Sequence, residues 1–394
     1  MNVLSAAARL ADRARPTVQL DRERCLIALD RFAACTACQD LCPASAIHAG
    51  QPPELDEEAC LGCRACLPAC PVGAYYAEDD VSRLLACAAQ AQSKTFELIC
   101  EKHPQSGRGL PGDAALKVRG CLAGLGAGAY LALAAAGAER LVVRAEACAA
   151  CPWAALGGRV LEQVELARQL LALTGHAEIV VAQTEAPGEF VERPLLDPFS
   201  PPVDRRDLWR RLAHESLAAP AELPRPERTP NPDRRRTAQA LAQLSPAAAP
   251  QPSAVPLAGP HWATLAVSEA CTACGVCARI CPTRALRLDN PAPDQFALRL
   301  VARACIGCEA CVHVCAPAAI TVDHAPAAAQ VFGEVAVQTL RSGALARCER
   351  CGAPMAVRPG QTLCEICAER QRNPFGSLRM PGIRSAAPNQ KPSV

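Results

Sequence analysis

Residues 271–282 read CTACGVCARICP and residues 305–317 read CIGCEACVHVCAP. Each is a C-x2-C-x2-C-x3-C run, with Cys271, Cys274, Cys277 and Cys281 in the first and Cys305, Cys308, Cys311 and Cys315 in the second. Pro282 follows the first run directly, and Ala316-Pro317 follows the second. Three thiols two residues apart can wrap a short loop around three corners of an iron–sulfur cubane. The fourth, one turn further on, points away and ligates the other cluster of a pair. This crossing assigns Cys271, Cys274, Cys277 and Cys315 to one [4Fe–4S] cluster, and Cys305, Cys308, Cys311 and Cys281 to a second. It also ties the half-sites together, so a short segment can fold around inorganic cores instead of a large apolar one. Zinc knuckles are the competing reading, and two full motifs in tandem speak against it.

A related block appears at 25–76. Cys60, Cys63, Cys66 and Cys70-Pro71 keep the spacing, while upstream Cys35, Cys38 and Cys42-Pro43 supply only its last three positions. Phe32 stands where the first cysteine is expected, and Cys25 is the available substitute. A longer loop costs little closure entropy, so the substitution is physically easy. Both blocks resemble the bacterial two-cluster ferredoxin family. Cys25, Cys35, Cys38 and Cys70 are then expected to hold one [4Fe–4S] cluster, and Cys60, Cys63, Cys66 and Cys42 its partner. The alternative is a three-iron or absent cluster with Cys25 a spectator. The stretches ASAIHA, VGAYYA, TRALRL and PAAITV after the motifs look like the short strands that flank clusters in this family.

The bulk numbers fit this reading. With 25 cysteines in 394 residues the chain would be disulfide-dense if secreted, but its first residues lack the apolar run of a secretory signal. The reducing cytoplasm, where clustered thiolates bind metal, is the expected compartment. A net charge of +2 gives no case for nucleic acid or a membrane surface as partner. Residues 120–138 carry no charge over 19 positions, long enough to span a bilayer. Most of them are Gly or Ala, so a buried helix against a sheet is the better expectation, and no membrane span is expected.

Between the blocks, residues 84–193 alternate strand and helix patterns. Strands are expected at 95–100, 116–120, 140–144 and 177–182, with helical runs at 122–136 and 153–173, giving a small parallel sheet with covered faces. Cys100, Cys121, Cys148 and Cys151 fall at or just after strand ends, where ligands of such sheets collect. Either they are buried packing residues or they form a fifth metal site, [2Fe–2S] or zinc. VRGCLAGL, its Ala-rich helix and AAGAERLVVRAEACAACPW resemble the delta, iron–sulfur subunit of methyl-viologen-reducing hydrogenases. That resemblance implies electron relay between a hydrogenase or formate dehydrogenase and another redox partner of heterodisulfide-reductase type. Cys87 has no assigned role. Gly124, Gly126 and Ala129 outline a G-x-G-x-x-A dinucleotide motif with Glu146 as its acid. Small residues that let a helix pack closely on a sheet explain the same letters.

The expected organisation is α+β and multidomain. A first two-cluster module (1–83) is followed by the α/β domain (84–193) and a Pro/Ala/Arg-rich linker (194–261) with an amphipathic piece at 207–219. A second two-cluster module (262–330), a zinc-ribbon-like element (331–372) and a disordered tail (373–394) complete it. In the ribbon, Cys348, Cys351, Cys364 and Cys367 form two C-x2-C knuckles, a tetrahedral site for zinc or a rubredoxin-like iron. Zinc is preferred because CEIC lacks the Pro and Gly that rubredoxins place around theirs. The expected function is electron transfer through four [4Fe–4S] clusters as a wiring subunit or carrier, with redox-enzyme donor and acceptor proteins as partners. No catalytic constellation of its own stands out. The alternatives are a catalytic oxidoreductase subunit with a flavin or nucleotide in the middle domain, or an accessory protein that matures a metalloenzyme.

Overall fold

The computed structural model describes residues 18–30, 33, 35–186, 191–199, 231–244, 262–332 and 337–374. They belong to two units: Met1–Ala28 with Cys35–Ser253, and Leu29–Ala34 with Ala254–Val394.

Backbone conformation around the cysteines organises each unit. The fourth cysteine of every motif opens a turn in which the residue three further on donates its N–H to the cysteine carbonyl. The donors are Ser45, Gly73, Arg284 and Ala318, at 3.1, 3.1, 3.2 and 2.9 Å. All four have left-handed φ, at 51, 61, 54 and 49°. Each turn delivers the chain into a short strand. In the first unit these strands are β1 (Gln19–Leu20), β2 (Ile47–His48), β3 (Glu54–Leu55) and β4 (Tyr75–Tyr76). β1 pairs antiparallel with β4, and β2 with β3. Two helical turns, α1 (Ala37–Leu41) and α2 (Cys66–Ala69), carry the later cysteines of the two motifs.

The same unit continues through α3 (Asp80–Gln90), whose N-terminus is capped by Asp79 accepting from Ser82 N. There follow β5 (Thr95–Cys100), β6 (Arg108–Gly109), β7 (Ala114–Val118), α4 (Ala127–Ala135), β8 (Arg140–Arg144), α5 (Gly157–Ala172), β9 (Val180–Gln183), β10 (Val191–Glu192) and β11 (Leu195–Leu196). The sheet order is β11-β7-β5-β8-β9, with parallel pairing throughout. The helical run expected over 122–136 divides into a 3-10 turn at Leu122–Gly124 and α4. Nearly every residue of α4 is buried, which accounts for its lack of charge. No helix among the described residues is long and apolar enough to cross a membrane.

The expected linker holds more structure than its composition suggests. β11 lies within it and extends the sheet beside β7. A further helix, α6 (Pro232–Leu244), buries Arg234, Thr237, Ala240 and Leu241. Its first residues dock in two places. Asn231 Nδ2 donates to the carbonyls of Leu67 (2.9 Å) and Cys70 (2.7 Å) at the end of α2, and Asp233 accepts from Gly128 N (3.1 Å) in the first turn of α4. The Pro- and Arg-rich letters around it concealed a helix whose burial depends on distant partners. The piece expected at 207–219 and the tail from 375 lie outside the described residues.

In the second unit β12 (Thr264–Val267) pairs antiparallel with β15 (Ile320–Asp323), and β13 (Leu286–Asp289) with β14 (Gln295–Leu300). This repeats the outer and inner strand pairs of the first block. The loops carry α7 (Val276–Ile280) and α8 (Ala310–His313). β16 (Gln338–Arg347) joins the far side of β14, and β17 (Pro354–Ala356) pairs with β16. The element expected as a separate ribbon is therefore an extension of this module's sheet, closed by α9 (Glu365–Arg372).

Candidate metal centres

Three of the four cysteine loops share one backbone device. The third and fifth residues of each C-x2-C-x2-C run are left-handed: Gly62 and Arg64, Ala273 and Gly275, Gly307 and Glu309. Alternating hand over so short a span turns successive thiols toward one centre. The loop carrying Cys35 and Cys38 departs from it, since Thr36 has φ −116°.

The thiols fall into groups that sense one another. Burial first, then the neighbouring Cys70, Cys35 and Cys25, push Cys38 up to about 11. Cys66 is raised well above an ordinary thiol by burial and by Cys63, Cys60, Cys70 and Cys42. Burial pushes Cys277 up to about 12, with Cys274, Cys271 and Cys315 adding to it. Cys311 is raised by burial and then by Cys308, Cys305 and Cys281, and Cys308 is pushed to about 11. The fourth cysteine of each run is thus felt by thiols of the other run, and Cys70 also by Cys66 of its own. Cys70 Sγ and Cys315 Sγ each accept an N–H from four residues on, Ala74 at 3.1 Å and Ala319 at 3.2 Å. Buried thiols crowded this way resist ionisation by themselves and become thiolates when a cation stands among them, so the donor set suits iron.

In the α/β domain, Cys100 ends β5, Cys121 follows β7, and Cys148 and Cys151 flank a 3-10 turn after β8. They line one small cavity with His103 and Trp153. Burial pushes Cys121 up to about 12, helped by Cys100, Cys148 and Cys63; Cys148 rises to about 11, with Cys100 and Cys151 contributing. Beside them runs a buried charge network that strand patterns alone did not reveal. Arg144 Nη1 donates to Glu97 Oε2 and Arg144 Nε to Glu146 Oε1, both at 2.6 Å, and Arg193 also pairs with Glu97. His103 Nε2 meets Glu146 Oε1 at 3.1 Å. Burial alone would raise Glu146, but the bonds from His103 and Arg144 outweigh it and hold its carboxyl at about 2. The visible signal was a charge among apolar letters, Glu97 inside TFELIC and Arg144 closing RLVVR.

The glycine motif serves packing. A Cβ at Gly126 would stand 2.3 Å from the Asp233 carboxyl, and one at Gly128 2.1 Å from Asp233 O. The start of α4 is therefore occupied by a carboxylate from α6, which opposes a phosphate there, and Glu146 is engaged with Arg144 and His103. The close partner is a helix, where a sheet was expected.

At the C-terminus, Cys348, Cys351, Cys364 and Cys367 bring their sulfurs within 4.8 Å of one another, the one such group among the described residues. Cys351 Sγ and Cys364 Sγ are 3.7 Å apart, close to the edge of about 3.8 Å that Zn–S bonds of about 2.3 Å give a tetrahedron. The Cys364 N–H, donated to Cys348 Sγ at 3.2 Å, lowers Cys348 to about 6, whereas burial drives Cys367 up to about 12.

Residues 270–319 match a 4Fe-4S dicluster domain and residues 53–76 a 4Fe-4S binding domain. A ferredoxin of Saccharopolyspora erythraea is 34% identical over 94 residues, covering 24% of this chain and 76% of that protein. A ferredoxin of Alicyclobacillus acidocaldarius is 44% identical over 45 residues, 11% of this chain and 58% of the relative. An uncharacterised ferredoxin of Methanocaldococcus jannaschii is 41% identical over 51 residues, 13% of this chain. The chain spans only 31% of that archaeal relative's length.

Proposed function

This chain belongs to the ferredoxin family, and we propose that it is an electron relay of four [4Fe–4S] clusters wired into a larger redox enzyme. Ferredoxin-type 4Fe-4S domains make it an iron–sulfur electron carrier. The proposed ligand sets are Cys25, Cys35, Cys38 and Cys70; Cys60, Cys63, Cys66 and Cys42; Cys271, Cys274, Cys277 and Cys315; and Cys305, Cys308, Cys311 and Cys281. What supports the reading is that each fourth cysteine is felt by thiols of the opposite run, which a single-site zinc knuckle does not need. Bound there, such clusters supply one-electron carriers whose potentials follow hydrogen bonding to the sulfurs and solvent access. The N–H donors on Cys70 and Cys315 and the burial of the thiols are this chain's means of setting those potentials.

The α/β domain is proposed as a fifth centre, a [2Fe–2S] site on Cys100, Cys121, Cys148 and Cys151. Their convergence on one small cavity at the sheet's edge supports a metal there, with zinc the other candidate. The C-terminal quartet is proposed as structural zinc. With its resemblance to the delta subunit of viologen-reducing hydrogenases, the middle domain suits docking to a hydrogenase, formate dehydrogenase or heterodisulfide-reductase type of partner in the cytoplasm. Anaerobic purification with iron and sulfide analysis tests this: four cubanes require about 16 iron atoms, with two more for the middle site. Iron near half that value after full reconstitution refutes the four-cluster reading, and co-purification from the native cell identifies donor and acceptor.

A further inference from the structure

The loop that carries Cys121 is pressed against the loop that carries Cys63. Gly120 has a left-handed φ of 71°, and a Cβ there would stand 2.7 Å from Gly62 O and 3.4 Å from Cys63 O. On the other side of Cys121, a Cβ at Gly124 would meet Arg64 Cβ at 3.0 Å and Cys63 O at 3.3 Å. Both flanks of one thiol are thus glycines in contact with the backbone that bears another. Cys121 is buried at this contact.

Two clamps hold it. Arg64, between Cys63 and Cys66, is buried and paired with Asp80 at the start of α3. Arg119, the neighbour of Gly120, reaches Glu78 at 3.0 Å and Asp80 at 3.9 Å. One acidic corner therefore grips a basic side chain from each loop. Opposite, Asn231 fastens α6 to the end of α2 and Asp233 fastens it to α4. An ordinary domain contact tolerates side chains between backbones. Here glycine removes them at the position next to a thiol on one side and facing a thiol-bearing loop on the other.

We infer that Gly120 is a positioning residue that joins the middle-domain site to the cluster site of Cys60, Cys63, Cys66 and Cys42 as one coupled redox pair. This rests on the proposed fifth centre. The route runs along the bonds from Cys121 Sγ to the Gly120 backbone, across one van der Waals contact to the Gly62–Cys63 peptide, and out to Cys63 Sγ. One electron passing along it oxidises one site and reduces the other, with no bond made or broken and no proton carried. The same pair is the point where electrons would pass between the α/β domain and the first ferredoxin block.

The test is frozen-solution EPR of the full chain reduced anaerobically with dithionite, compared with samples poised so that only one of the two sites is paramagnetic. Coupling predicts splitting or broadening at full reduction that is absent from the half-reduced samples and lost in Cys148→Ser. Gly120→Val, with unchanged iron content, is expected to narrow the splitting. Where that variant fails to load iron, the wild-type comparison decides. If iron analysis shows the middle site loaded in the wild type and the fully reduced spectrum is the plain sum of separate signals, the junction is wrong while the fifth centre stands. If Cys148→Ser keeps wild-type iron and spectrum, the fifth centre itself falls and the junction with it.

Discussion

Asn231→Ala should release α6 from the first unit. Asn231 is 3% exposed, and its three shortest side-chain bonds are ones that alanine cannot make: donation from Nδ2 to Leu67 O and to Cys70 O, and acceptance by Oδ1 from Asp233 N at 2.8 Å. At a net value of about 1 kcal/mol for each hydrogen bond, the loss is about 3 kcal/mol. At a factor of ten for each 1.4 kcal/mol, that raises local opening of α6 roughly 140-fold. Native-state hydrogen exchange of the α6 amides reads this directly, because their exchange follows the population of the locally open form. Asn231→Asp keeps the acceptor that starts the helix and loses the two donated bonds, so its protection should fall by roughly 30-fold at about 2 kcal/mol. Exchange of α6 within twofold of wild type in Asn231→Ala would refute the docking argument. So would a loss of protection spread evenly over the first unit.

Cys25→Ser should remove one [4Fe–4S] equivalent from the first block and leave the second block's iron and EPR signals unchanged. An unaltered cluster count would return Cys25 to spectator status and leave a three-iron or absent centre there. For the C-terminal quartet, zinc analysis should find one zinc per chain, and Cys351→Ser should lose it to EDTA while the cubane absorption persists. Iron with a rubredoxin-like spectrum in place of zinc would overturn the structural-zinc proposal.

The cysteine loops were legible in the sequence because ligation is a local matter of spacing and turn geometry. The short strands after each fourth cysteine could be read for the same reason: the left-handed residue three positions on dictates where the chain goes next. The strands at 95–100 and 140–144 followed from their apolar runs. What escaped was long-range. Gly124, Gly126 and Ala129 spelled a dinucleotide outline, yet Gly124 is set against Arg64 and Gly126 against Asp233, which lies 105 positions from Gly128 in sequence. Nothing near the glycines announces that partner. The helix beginning Asn231-Pro232-Asp233 carries an ordinary start signal, an amide cap before a proline, but its surroundings read as linker. The pairing of Glu97 with Arg144 and Arg193 was hidden likewise, because a buried charge is recognisable only when its counter-charge is known.

The turn after each fourth cysteine offers a test of how much backbone strain these loops hold. Four turns share one geometry with four different residues in the left-handed position, and only Gly73 adopts it freely. Ala318 is exposed and has φ 49°. A left-handed non-glycine residue costs about 1–2 kcal/mol, and the extra freedom that glycine brings to the unfolded chain offsets roughly 0.5–1 kcal/mol of that. Ala318→Gly should therefore stabilise the second block by about 0.5–1 kcal/mol. Gly73→Ala should act in the opposite sense. It adds the left-handed cost of about 1–2 kcal/mol, less the same offset of roughly 0.5–1 kcal/mol, and its Cβ would meet Asn231 Cα at 3.3 Å and Pro232 Cδ at 3.4 Å. The second effect predicts faster amide exchange in α6, which a purely local turn defect would not cause. Guanidinium-driven loss of cluster absorption should slow in Ala318→Gly and quicken in Gly73→Ala. Equal or same-sign changes would mean that cluster ligation, not the conformational preference of the turn, dictates the left-handed geometry.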